Sequence, residues 1–138
     1  MGRSSTSDLV RSYLSSFASG DPANVAAHVS DDFVNEHLGA LAQGCVSKAV
    51  YAERLKGFLA GFEGLSYEIL SVVADDEKGA ARYIMRFRQK EREIEVRGVM
   101  WFEFAGDLIS KRIDCWDGLK YLQQVDASAE DIAKLVRP

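Results

Sequence analysis

The stretch that decides the fold is Gly106-Asp107-Leu108-Ile109-Ser110-Lys111-Arg112-Ile113-Asp114-Cys115-Trp116-Asp117. A Gly-Asp pair of turn type opens it, and the following residues alternate with the two-residue period of a half-buried strand. On strict alternation Ile109, Ile113 and Cys115 share one face, and Leu108, Arg112, Asp114 and Trp116 share the other. The second face sets a carboxylate between an arginine and a large aromatic ring. Two readings fit it. Asp114 lines a ligand pocket, where burial against Trp116 raises its pKa and suits it to proton transfer. Or Asp114 and Arg112 pair at a sheet surface.

Upstream the same period recurs. Leu65–Ala74, Ala80–Gln89 and Glu93–Phe104 are strand-like runs, connected through Asp75–Gly79, Lys90–Arg92 and Ala105–Asp107. Connections this short permit only antiparallel hairpins, so the four runs form a meander. Ala81, Tyr83, Met85 and Phe87 make an apolar face opposite Arg82, Arg86 and Arg88. Val96, Gly98, Met100, Phe102 and Phe104 stand opposite Glu95, Arg97, Val99, Trp101 and Glu103. The two apolar sets are expected to look toward helices.

Those helices come first in the chain. Ser7-Asp8 can cap one whose apolar residues are Leu9, Val10, Tyr13, Leu14 and Phe17. Gly20 ends it, and Asp21 as N-cap with Pro22 at the first helical position starts a second, short helix to about His28. Ser30-Asp31-Asp32 breaks that helix, and Phe33–Leu38 reads as a brief extended segment. After a loop over Gly39–Gly44, Ser47 can cap a third helix with the stripe Val50, Tyr51, Leu55, Phe58, Leu59 and Phe62. Beyond Trp116, Gly118–Val125 reads as a helical turn and Ser128–Val136 as a helix capped by Ser128. The order gives an α+β domain over residues 1–126, helices covering one face of a curved antiparallel sheet, with a short helical tail over 127–138.

Composition narrows the partners. The chain has 138 residues, 47% hydrophobic and 28% charged, as one soluble globular domain has. Net charge is −4 and the longest like-charge run is Asp75-Asp76-Glu77, which argues against a nucleic-acid surface. Arg82, Arg86, Arg88, Lys90 and Arg92 read as the polar face of a strand, partnered by Glu93, Glu95 and Glu103. No apolar run approaches the roughly 18 residues of a membrane span. Met1–Ser7 lacks the apolar core of a signal peptide, while Gly2 and Thr6 fit the loose myristoylation pattern without a second anchor. Cys45 and Cys115 are far apart and read as free thiols of a cytoplasmic protein. There is no glycine-rich phosphate loop, and no ligand cluster surrounds His28 or His37, so neither cofactor nor metal is expected. Val99, Trp101, Ile109 and Ile113 would leave an apolar patch on the outer sheet face, read here as a homodimer surface.

The order of elements resembles the nuclear transport factor two-like superfamily from about Ser7 to Val125. Its local marks are Ser19-Gly20-Asp21, Val29-Ser30-Asp31-Asp32-Phe33, Gly44 before the third helix, and the terminal Asp114-Cys115-Trp116-Asp117. The resemblance implies a cone-shaped domain with a deep pocket between a curved antiparallel sheet and three N-terminal helices over its concave face. Within the superfamily the chain looks most like the SnoaL-like polyketide cyclase and ketosteroid isomerase branches. Tyr13 stands seven residues before Gly20, as the isomerases' oxyanion-hole tyrosine does, and His37 stands five after Asp32, where they carry a catalytic aspartate. Asp114 matches the acid/base aspartate of the SnoaL-like cyclases, which is also one of two catalytic aspartates in limonene-epoxide hydrolases. The isomerases' second oxyanion acid falls at Met100, which cannot donate a hydrogen bond. The epoxide hydrolases' arginine-x-aspartate element falls near Arg86-Phe87-Arg88, without the acid.

The resemblance therefore implies Tyr13, His37 and Asp114 as catalytic groups, in a cavity lined by Phe17, Phe33, Phe58, Tyr83, Met85, Met100, Phe102 and Trp116. Hydrophobic walls with a few placed polar groups suit a small hydrophobic molecule. A histidine can take a proton from carbon next to a carbonyl, a carboxylate can orient it, and a tyrosine can donate to the enolate oxygen. That chemistry is cofactor-free isomerisation, cyclisation or dehydration. A non-catalytic binding or dimerisation domain of the same fold and an epoxide hydrolase remain as alternatives.

Overall fold

The computed structural model describes residues 5–136; Met1–Ser4, which carry the Gly2 acylation motif, and Arg137–Pro138 lie outside the described residues. Helix α1 spans Thr6–Ser16, and a 3-10 turn over Phe17–Ser19 extends it to Gly20. Its cap is Ser5 rather than Ser7-Asp8: Ser5 Oγ accepts from the Asp8 amide at 3.1 Å. Asp8 thus falls in the first turn, where its charge meets the positive end of the helix dipole. Asp21 caps α2 (Pro22–Ala26) through the Ala23 amide at 3.0 Å, with Pro22 in the first turn as expected. Ser47 caps α3 (Lys48–Gly61) through the Val50 amide at 3.2 Å.

Six strands follow the chain as β1 (Val29–His37), β2 (Cys45–Val46), β3 (Glu63–Ala74), β4 (Lys78–Gln89), β5 (Arg92–Ala105) and β6 (Leu108–Trp116). They make one curved, unclosed sheet in the order β2-β1-β6-β5-β4-β3. The antiparallel meander β3 to β6 is the one expected from the sequence. The extended segment is longer than expected, because Ser30-Asp31-Asp32 belongs to β1 instead of breaking the chain. Its register against β6 slips between Val29 and Val34, so the two acids face solvent at an irregular stretch and interrupt no core contact. From Val34 onward β1 runs parallel to β6, with Asn35 opposite Arg112 and His37 opposite Asp114. Helices α4 (Gly118–Gln124) and α5 (Ala129–Val136) close the described chain. Among the described residues no helix is long and apolar enough to cross a membrane.

One irregularity corrects the faces assigned to β6. Between β5 and β6 the register shifts, pairing Phe104 with Ile109 but Glu103 with Lys111 and leaving Ser110 as the extra residue of a bulge. Ser110 Oγ donates back to the Glu103 carbonyl at 3.1 Å. The bulge reverses the alternation, so Ile109 turns inward and is fully buried while Leu108 is 37% exposed. Ile109 is therefore core, not part of the outer patch. Below the bulge the reading from sequence holds: Arg112 and Asp114 point inward and Cys115 outward.

The core lies between the concave inner face and the helices. Val10, Leu14 and Phe17 of α1 pack with Val25, Val29, Leu55, Ala81, Phe102 and Ile109, all almost wholly buried. Each side chain of this size stabilises the fold by roughly 1.5–3 kcal/mol on burial. On the outer face Arg86 pairs with Glu68 at 2.7 Å and Glu95 at 3.4 Å. Glu95 is one of the acidic partners expected for that arginine row.

Candidate active site

A cavity of about 330 Å³ opens between the inner sheet face, α3 and the loop after β1. Of the residues singled out from sequence, His37, Asp114, Phe17, Phe58, Tyr83, Met85 and Trp116 line it. Tyr13, Phe33, Met100 and Phe102 do not: all four are fully buried behind it. Phe33 stacks against Tyr51 with ring centroids 4.7 Å apart, and Tyr13 meets Phe102 edge-on at 6.1 Å. Side chains from α1 and α3 thus fill the part of the concave face over these four, and the cavity occupies what is left. Arg112 lines it too, with Asn35, Tyr51 and Tyr67, which were not among the expected lining residues. Alternation could have found Asn35, between Phe33 and His37, and the helical stripe already contained Tyr51.

Arg112 and Asp114 form the charged floor. Arg112 Nη2 donates to Asp114 Oδ2 at 2.8 Å, and Tyr83 Oη donates to Asp114 Oδ1 at 2.6 Å. Arg112 Nη1 donates to Tyr13 Oη at 2.8 Å, and the Tyr13 and Tyr51 hydroxyls share a short hydrogen bond. The two readings of this strand are both partly right: the pair exists, but it sits inside the cavity. Tyr13 reaches the site through Arg112 and Tyr51. Asp114 reaches the His37 strand as a register partner, while both its carboxylate oxygens are bonded to other residues.

Electrostatics sort the groups by role. Burial alone would weaken the Arg112 cation, but Tyr13, Asp114, Tyr51 and Tyr67 more than compensate and hold its pKa well above the ordinary arginine value. Burial pushes the Tyr51, Tyr67 and Tyr83 hydroxyls well up, so all three stay protonated donors at neutral pH. Burial lowers the His37 pKa, the Arg112 charge adds to this, and Asp114 opposes it. The imidazole is therefore neutral at pH 7 and able to accept a proton. Among the described residues its Nδ1 has no hydrogen-bond partner, nor have Asn35 Oδ1 and Arg112 Nε.

Backbone approach keeps Tyr83 in place. A Cβ on Gly98 would lie 2.5 Å from Tyr83 Oη and 2.8 Å from the Cys115 carbonyl. Only glycine leaves room there for the hydroxyl that holds Asp114.

A model of the SnoaL-like domain family matches residues 10–112. The chain belongs to the SnoaL-like family. That places it in the nuclear transport factor two-like superfamily, as the order of its elements implied. Solved structures share this SnoaL-like fold at low sequence identity. A protein of ketosteroid isomerase-like fold from Catenulispora acidiphila, solved with trimethylamine, superposes with TM-score 0.80 at 12% identity, over 89% of this chain and 95% of that one. An LEH-like epoxide hydrolase of M. tuberculosis gives 0.76 at 19% identity, covering 96% of each chain. A protein assigned to the SnoaL-like polyketide cyclases, from Shewanella denitrificans, gives 0.73 at 14% identity over 88% of this chain and 96% of that one. No curated protein matches this SnoaL-like chain in sequence.

Proposed function

We propose that this SnoaL-like domain is a cofactor-independent acid/base catalyst that enolises a small hydrophobic carbonyl compound, of isomerase, cyclase or dehydratase type. The observation that carries this reading is a neutral imidazole lining a largely apolar cavity beside a buried cation. The His37 imidazole, which lines the cavity, takes the proton from the carbon next to the carbonyl. The C–H electron pair becomes the C=C bond and the carbonyl π pair moves onto oxygen. That oxygen is stabilised by the Arg112 charge and by the protonated Tyr67 hydroxyl at the cavity wall. His37 then returns the proton at another atom. Asp114 is a positioning residue here: it holds Arg112, as Tyr13 does from behind.

The test is solvent-deuterium exchange into enolisable cyclic ketones, followed by NMR. Exchange above the buffer rate supports the reading. A second reading, epoxide opening by a water that Asp114 activates, draws on the likeness to the LEH-like epoxide hydrolase. Diol formation from epoxides, without ketone exchange, would favour it. Ligand binding with neither reaction would leave a non-catalytic binding domain.

The assembly proposed with this site is a homodimer through the outer sheet face. Ile113, Trp101, Ala80 and Val73 are cross-strand partners in one row over four strands. Trp101 is 39% and Val73 67% exposed, with Val99 beside them at 46%. A row of this kind is self-complementary about a two-fold axis, so a second copy is the partner it fits.

A further inference from the structure

Asn35 lies on the inner face of β1, its register partner on β6 is Arg112, and it is 8% exposed at the cavity wall. Its Oδ1 finds no hydrogen-bond partner among the described residues. Nor does Arg112 Nε, although both terminal nitrogens of that guanidinium are committed to Tyr13 and Asp114. An unsatisfied acceptor and an unsatisfied donor on cross-strand partners each cost free energy when buried. A single group that reached both atoms would satisfy both. A hydroxyl donates its hydrogen to Oδ1 and accepts from Nε–H, whereas a ketone or ether oxygen can serve only the donor. A carboxylate fits worse still. It would set a negative oxygen against Asn35 Oδ1, and Asp114 already balances the Arg112 charge at 2.8 Å.

Cavity size limits the rest of the ligand. At about 330 Å³ it has room for a small organic molecule.

We propose that Asn35 is a specificity-determining residue, selecting neutral ligands that carry a hydroxyl (phenols, enols and hydroxyketones) over the matching ethers and carboxylates. This rests on the cavity being the substrate site, and it narrows the carbonyl compound to one whose enol or neighbouring hydroxyl can sit between Asn35 and Arg112.

Calorimetric titration of the full chain with 4-propylphenol, 4-propylanisole and 4-propylbenzoate tests it. The phenol and its methyl ether differ in the donated hydrogen. The phenol should bind at least about tenfold more tightly than the ether, and the benzoate more weakly than the phenol. In Asn35→Leu the phenol-to-ether ratio should fall to near one, and Asn35→Asp, which keeps an acceptor, should preserve it. An ether as tight as the phenol, a benzoate tightest of the three, a ratio unchanged in Asn35→Leu, or no binding of any probe at millimolar concentration would each overturn the proposal. If Asn35→Leu does not fold, the ratio in the native protein decides alone. None of the probes needs to react. Selective phenol binding without ketone exchange would therefore sink the catalytic reading only, and ketone exchange without phenol preference would sink this one only.

Discussion

Arg112 donates to Asp114 at 2.8 Å with both side chains 5% exposed, so the cavity floor is a buried ion pair and not an isolated carboxylate. Desolvating two charges costs several kcal/mol per ion, and such pairs stabilise little against an apolar replacement. Removing one partner is another matter. Asp114→Asn leaves the Arg112 cation without its counter-charge, and destabilisation by about 3–5 kcal/mol is expected. The double variant Arg112→Met with Asp114→Leu should recover much of that loss. Urea denaturation of Arg112→Met, Asp114→Leu and the double measures the coupling, and additive losses would contradict it.

Gly98 has the same structural reach through Tyr83. A methyl group there would meet the Tyr83 hydroxyl at 2.5 Å and a backbone carbonyl, neither of which can yield without loss. Gly98→Ala should cost about 1–3 kcal/mol as an overpacking substitution and weaken ligand binding along with it. Thermal unfolding and titration of the phenol probe check both effects; native values for both would show that the strand shifts freely.

His37 supplies a pH signature. Its folded pKa lies below that of an unfolded histidine, about 6.5, so the unfolded chain binds more protons as pH falls below that value. The stability contribution is complete above about pH 7 and declines as pH falls through about 6.5 toward the folded pKa. His37→Gln should flatten this slope between about pH 7 and 5.5. Denaturation midpoints across that range decide it, and identical slopes would mean His37 binds protons equally in both states.

The outer sheet face gives a test of assembly. Trp101→Glu places a charge in the row Ile113, Trp101, Ala80 and Val73. Sedimentation should show a dimer for the native chain and a monomer of native stability for the variant. A native monomer at micromolar concentration would end the dimer proposal.

How much of this could be read from the chain alone differs by residue. The meander was legible because hairpin connections are local, and Ser47 and Asp21 cap their helices where side-chain chemistry places them. The joining of β1 to β6 was not, since a parallel pairing between residues so distant in sequence leaves no local pattern. Ile109 was assigned to the wrong face because one bulged residue, Ser110, reverses the alternation. At the site, Asp114 and His37 were found at the cavity. Tyr13, Phe33, Met100 and Phe102 share their inward faces, but which part of a concave face stays open depends on the helices packed over it.

The most direct test of the central claim is the rate of α-proton exchange of 4-propylcyclohexanone in deuterium oxide, with native protein and with His37→Gln. A positioned general base contributes about 10²–10⁴-fold. The native protein should exchange the ketone well above the buffer rate, and the variant should lose at least about a hundredfold of that excess while staying folded. Exchange at the buffer rate with native protein, or an equal rate with the variant, would contradict an imidazole base in this cavity.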